Sequence, residues 1–375
     1  MILSAPPVWL IVLAFICAIG PLVFIHEMGH YLVARWFGVG AETFSIGFGR
    51  EITGWTDRRG TRWKVGWLPL GGYVRFVGGE SHAGEAERTP AAHRADSFAG
   101  RPVWQRFLIV LAGPLANFLL AILIFAAIFG TVGIPHASNL VGTVAPGSAA
   151  AQAGIAPGDR IVAVGGETIQ TFQDIRRTIF MRPGEEVRLV IERGERRQPV
   201  LVRIGATEEQ DRFGRKYRIG LLGVSPSERP EIVHPPVLSL IPIATEHTFN
   251  VIEMTVRGLY QIVTGQRSAK EIGGPLRIAQ VAGEQASLGF LDFAWLAAVV
   301  SINLGFINLL PVPMLDGGHL LFYSLEAVRR RPVSVRAQEW AFRGGLALLL
   351  ALLLFTTVND LGSFGLWDRL ERLIG

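Results

Sequence analysis

The chain has 375 residues, half of them hydrophobic and only 18% charged, with a net charge of +5 and a mean hydropathy of +0.36. A soluble domain carries about 25% charge and a disordered chain needs far lower hydrophobicity, so this composition excludes both. Four membrane spans of about 20 residues would occupy roughly 80 positions, which leaves space for a water-soluble domain of ordinary size.

In chain order, the apolar run 8–25 predicts a first membrane span. It lacks a basic leading stretch and runs into His26-Glu27 rather than a small-residue cleavage site, so it reads as a retained span and not a signal peptide. Residues 42–48 alternate polar and apolar. Residues 51–55 and 61–67 flank the turn signal Asp57-Arg58-Arg59-Gly60, and Gly71 to Phe76 reads as a further strand. Together they predict a small hairpin-rich sheet, apolar enough to dip into the membrane, where non-helical backbone persists only when shielded by protein or water. The polar, Ala-rich stretch 82–97, with His82 and His93, reads as a solvated loop. Residues 107–130 carry no charged side chain and predict the second span.

A soluble segment follows. Residues 139–204 alternate β-rich runs (140–144, 157–164, 186–191) with turns, and 171–179 suits a helix. The pattern at 237–263 is that of an amphipathic helix, interrupted further on by Gly273-Gly274-Pro275. Residues 293–310 and 344–358 predict spans three and four. Arginine crowds the segment between spans one and two, from Arg35 to Arg106, and the connection between spans three and four, from Arg329 to Arg343. Both segments should be cytoplasmic, with the termini and residues 131–290 outside. That accounts for the positive charge without a nucleic-acid partner. The single cysteine, Cys17, excludes an intrachain disulfide and a Cys-rich zinc site and reads as a small buried apolar side chain.

The chemistry is concentrated in His26-Glu27-Met28-Gly29-His30. Residues four apart share a helix face, so both imidazoles can bind one metal, and Glu27 can take a proton from a metal-bound water. This is the zinc-hydrolase pattern. Its place at the end of an apolar span, where ionisable groups are costly, also points to function. Two His leave a tetrahedral zinc short of a protein ligand. Asp316 lies near span three, in a setting that can supply one. Pro311 and Pro313 break the helix, and Gly317 and Gly318 allow close backbone approach. Taken alone, Asp316 reads equally as an N-cap for a helix through His319; the unfilled ligand position favours the metal. His319 reads as an orienting residue. Gly113-Pro114 and Asn117 read as shaping and packing span two.

With these residues in view, the chain resembles the site-2 proteases, intramembrane zinc metalloproteases, and among them the bacterial regulator of sigma-E protease branch. The resemblance rests on the His-Glu-x-x-His motif, Phe44-Ser45-Ile46-Gly47-Phe48-Gly49, Pro69-Leu70-Gly71-Gly72-Tyr73-Val74, Ala112-Gly113-Pro114-Leu115-Ala116-Asn117-Phe118 and the stretch from Asn303 through His319. It implies a polytopic α-helical membrane protein with about four transmembrane helices, a membrane-associated β-hairpin sheet and an inserted extracytoplasmic α+β PDZ domain. The expected divisions are 1–130 (spans one and two with the zinc motif and sheet), 131–230 (periplasmic PDZ domain), 231–290 (amphipathic segment) and 291–375 (spans three and four). Zn²⁺ would be held by His26, His30 and Asp316, with Glu27 as catalytic base and Asn303 and Asn308 handling substrate.

The same resemblance implies a bacterial inner-membrane enzyme whose zinc motif lies near the cytoplasmic side. Its partners would be the lipid bilayer and single-span membrane protein substrates, such as a pre-cleaved anti-sigma factor or remnant signal peptides. The best-known relatives carry two PDZ domains in tandem; this chain has room for one. The competing readings are a membrane metal-ion transporter and a non-catalytic PDZ scaffold. The first lacks an inverted repeat of the spans, and the second leaves an intact His-Glu-x-x-His motif unused.

Overall fold

The structure is a computed structural model that describes residues 6–79, 95–136, 138–194, 196–210, 216–227, 231–265, 268–269 and 272–363. The expected loop 82–97 lies outside the described residues up to residue 94. Helix α1 (Val8–Trp36) continues well past Ile25, so the His26–His30 motif sits in its interior rather than at its end. The residues beyond Ile25 propagate a helix, and the stop comes where Gly38 takes a left-handed φ of +74°. Cys17, expected to be buried, is exposed on this helix.

The expected short strands at 42–76 are two long ones, β1 (Ala41–Thr56) and β2 (Arg62–Phe76). Residues 41–46 pair antiparallel with 72–76, and Thr43–Ile46 also face Arg62–Val65 on their other side. Residues 51–56 pair with 62–66. The ribbon order is therefore 72–76, 41–46, 62–66, 51–56. Gly47 and Gly49, both with a φ of +84°, let β1 bend without ending. Stacking of Phe44 on Trp63 at 4.4 Å and an edge contact of Tyr31 to Phe44 at 5.8 Å hold the sheet against α1. Helix α2 (Val103–Thr131) crosses α1 closely; a Cβ on Gly29 would lie 2.4 Å from the Ala112 carbonyl oxygen.

Residues Phe129–Val237 form a compact unit of their own. It runs β3 (Ile134–His136), β4 (Val141–Val144), α3 (Ala149–Gln152), β5 (Arg160–Val164), β6 (Glu167–Thr168), α4 (Phe172–Phe180), β7 (Glu186–Arg193), β8 (Arg196–Arg203), β9 (Gly205–Gln210), β10 (Lys216–Leu221), β11 (Val224–Pro226) and β12 (Glu231–Val233). The main sheet is antiparallel in the order β6-β5-β7-β8, and β4 pairs with β11. Strand β7 shows why: Val187, Leu189 and Ile191 alternate inward. Each such side chain, fully buried, contributes about 1.5–3 kcal/mol. Thr171 and Asp174 cap the start of α4 reciprocally. The Arg193 guanidinium, 2.7 Å from the buried Asp159, holds that carboxyl below the usual carboxylate range.

The other unit, Met1–Ile128 with Leu238–Gly375, also contains α5 (Val237–Val263), α6 (Pro275–Leu288), α7 (Phe290–Leu309), α8 (Asp316–Arg329) and α9 (Val335–Ser363). Helices α1, α2, α7 and α9 are long and apolar enough to cross a membrane. Helix α6 was not anticipated from the sequence, and α8 only through the N-cap reading of Asp316. Helix α6 begins where Pro275 occupies an N-terminal position that needs no N–H. Asp360 of α9 accepts from the backbone N–H groups of Gly274 and Arg277, acting as an N-cap from another helix.

Candidate active site

The four-residue spacing on α1 brings Nε2 of His26 and Nε2 of His30 within 3.3 Å of each other. The third group arrives from the break between α7 and α8. Helix α7 stops at Leu309, and the chain turns through Met314, whose φ of +84° is unusual for a residue with a side chain. Gly317 permits the tight return: a Cβ there would lie 2.2 Å from the Leu310 carbonyl oxygen. Asp316 opens α8, but Leu315 occupies the N-cap position and no side-chain cap bond forms. Asp316 instead directs Oδ2 to within 3.1 Å of His26 Nε2 and 3.5 Å of His30 Nε2.

These distances fit zinc. Ligand bonds of about 2.0–2.1 Å in a tetrahedron place the donor atoms roughly 3.3 Å apart. Oδ2 of Asp316 is buried without a hydrogen-bond partner among the described residues, and a buried carboxylate oxygen left that way is costly unless a cation takes it. Two imidazole nitrogens and one carboxylate oxygen also match the donor preference of zinc.

Helix α2 orients the imidazoles. His30 donates its Nδ1–H to the Ile109 carbonyl at 2.9 Å, which leaves Nε2 as the free lone pair. The side-chain amide of Asn117 lies 3.2 Å from His26 Nδ1. Between them, Gly113 sits so close that a Cβ would lie 2.2 Å from His30 Nε2. Ile109, Gly113 and Asn117 are four apart and share one face of α2.

Glu27 is buried beside Gly72, with the Val74 backbone N–H directed at its carboxylate. A cavity of about 420 Å³ opens over the cluster, lined by Val23, Glu27, Tyr73, Leu304, Asn308 and His319 among others. Asn308 reaches into it, its amide nitrogen 3.4 Å from His26 Nε2. Asn303 has a different neighbourhood: its Oδ1 accepts from Thr255 Oγ1 of α5 at 3.0 Å. His319 packs its ring on Phe342 at 5.3 Å and lies outside the group of three converging donors. Sequence reasoning missed the Ile109 carbonyl, because a backbone acceptor has no side-chain signature. It also missed what Gly113 does, although a glycine four residues before Asn117 in a charge-free span was a usable signal.

Comparison with known proteins adds four findings. The family model described as Peptidase family M50 matches residues 14–352. A "putative zinc metalloprotease" of Agrobacterium fabrum is 44% identical over 94% of this chain and 96% of its own. Metalloprotease MmpA of Caulobacter vibrioides is 37% identical over 98% of each chain. The crystal structure of the PDZ domain of an SdrC-like protein from Listeria monocytogenes covers 25% of this chain and 90% of its own, at 18% identity and a TM-score of 0.20, a likeness too weak to bear on the fold.

Proposed function

The chain belongs to peptidase family M50, the site-2 protease family, and on that premise we propose that it hydrolyses peptide bonds inside the transmembrane segments of single-span membrane proteins. It is a membrane metalloprotease, and zinc is its metal. The observation that carries the substrate class is the setting of the cluster. His26, His30, Asp316 and Glu27 converge in a cavity whose walls include residues of three helices long and apolar enough to cross a membrane, α1, α2 and α7, and of the sheet.

Bound at His26, His30 and Asp316, zinc supplies Lewis acidity that eases deprotonation of water and polarises a peptide carbonyl. Glu27 accepts the proton of the attacking water on its carboxylate and passes it to the leaving amine nitrogen. Asn308 donates an amide N–H to the carbonyl oxygen of the scissile bond as negative charge builds there. Asn303 ties α7 to α5 and is not among the residues that line the cavity. The test is direct. In bilayers carrying zinc-loaded enzyme and a single-span substrate, mass spectrometry should place the cut within the apolar segment. A chelator should stop it and added zinc restore it. Cuts confined to the flanking polar regions, or metal flux without cleavage, would overturn the reading.

A transmembrane helix hides its carbonyls in internal hydrogen bonds, so the substrate must unwind. Ribbon 72–76 pairs with 41–46 on one side and lines the cavity on the other. An extended substrate can add there as a further strand. Synthetic substrates N-methylated at single amides near the scissile bond distinguish the possibilities. Strand addition predicts slower cleavage at alternate positions; faster cleavage at every position would mean that unwinding alone matters.

For orientation and access, the Arg-rich segments 35–106 and 329–343 support a cytoplasmic placement, with a periplasmic PDZ-type domain at 131–230 in a bacterial inner membrane. Gly142-Thr143-Val144 in β4 and Pro157-Gly158-Asp159-Arg160-Ile161 leading into β5 are the elements that favour the PDZ reading. Such a domain controls entry from outside, and a pre-cleaved anti-sigma factor or a remnant signal peptide is the substrate class it suits. Protease accessibility of residues 131–230 in sealed spheroplasts and inverted vesicles tests the placement; cleavage only in inverted vesicles would reverse it.

A further inference from the structure

We infer that Asn117 is a positioning residue for the metal: its side-chain carbonyl accepts the Nδ1–H of His26 and holds that ring in the tautomer whose Nε2 lone pair faces zinc. The inference rests on the reading of His26 as a ligand. Asn117 is fully buried, with Nδ2 at 3.2 Å from His26 Nδ1 and with Oδ1 lacking a partner among the described residues. An imidazole that offers Nε2 to a metal carries its proton on Nδ1. That proton needs an acceptor. An NH₂ facing it sets donor against donor and strands a buried carbonyl oxygen. A half-turn of the planar amide exchanges the two atoms at nearly unchanged positions and resolves both conflicts at once.

His30 supplies the internal comparison. Its Nδ1–H is already satisfied by a carbonyl on the same helix, that of Ile109, at 2.9 Å. Helix α2 therefore offers a backbone acceptor to one ligand and, about two turns on, a side-chain acceptor to the other. Asn117 is itself anchored. Ser301 of α7 donates its hydroxyl to the Asn117 backbone carbonyl at 2.8 Å, which joins the residue to the helix that precedes Asp316. A role confined to helix packing does not account for an amide aimed at the one ring nitrogen that must stay protonated.

The experiment measures zinc affinity of the full-length protein in lipid nanodiscs, by competition with a chromogenic chelator, alongside thermal unfolding of the zinc-free forms. Asn117→Leu should weaken zinc binding 10- to 100-fold, the usual effect of losing a ligand's hydrogen-bond partner. Asn117→Asp should recover most of the affinity, because a carboxylate accepts the same bond. Gly258→Ala on α5, where an added Cβ meets nothing within 4 Å, should bind zinc as the wild type does. Asn117→Ala stands in if the leucine variant does not fold. Wild-type affinity in Asn117→Leu, or equal losses in the alanine and aspartate variants, overturns the inference. His26→Ala separates this from failure of the site itself: if it binds zinc like the wild type, His26 is no ligand.

Discussion

Glu27→Gln is expected to slow cleavage of a single-span substrate by about 10²–10⁴-fold while the protein keeps its zinc. The reason lies in the division of labour on α1. His26 and His30 share one helix face with Asp316 opposite them, whereas Glu27 is one position round and faces Gly72 and the Val74 N–H. Glutamine keeps the shape and can still accept from Val74 through its amide oxygen. It cannot take a proton from water. Single-turnover cleavage and metal content, measured on one preparation, separate the two roles. Undiminished cleavage by a folded variant removes Glu27 from the mechanism. Loss of zinc together with activity would mean instead that Glu27 helps hold the metal.

The parts of this site that could be read from the sequence are those where chain geometry is local. His26 and His30 were legible because a four-residue interval has one meaning on a helix. Asp316 was legible from chemistry: two imidazoles need a further donor, and an acidic residue between a proline break and two glycines can supply one. The sheet was legible as alternating segments, but not as two continuous strands, because pairing that survives a bend depends on glycines such as Gly47 adopting positive φ. Contacts between distant segments were the least legible. Nothing in the sequence states that Asn303 meets Thr255 or that Asp360 caps α6. The same holds for span ends: α1 outruns its apolar run because its stop is set by Gly38, not by hydrophobicity.

Gly113→Ala should cost roughly 10- to 100-fold in zinc affinity and leave the zinc-free fold intact. The added methyl would lie 2.2 Å from Nε2 of His30 and 2.4 Å from its Cε1, far inside van der Waals contact. The Nε2 atom is the donor itself, so the methyl occupies the space where the metal and ring must meet. Two relaxations are open. The ring can turn, which breaks its bond to the Ile109 carbonyl, or α2 can withdraw, which separates it from α1 where Gly29 lets the helices touch. Either one removes His30 from the cluster. Stability responds far less. Alanine favours a helix interior over glycine by about 1 kcal/mol, which offsets the roughly 0.5–1.5 kcal/mol of the Ile109 hydrogen bond given up when the unligated His30 ring turns aside, so the zinc-free protein unfolds close to the wild type. Gly258→Ala on α5 is the control, since a Cβ there meets nothing within 4 Å; it gains the same helix propensity and should keep zinc. Wild-type zinc affinity in Gly113→Ala would place the metal away from His30, whereas weakened binding in both variants would trace the effect to α-helix propensity and not to the crowded ring.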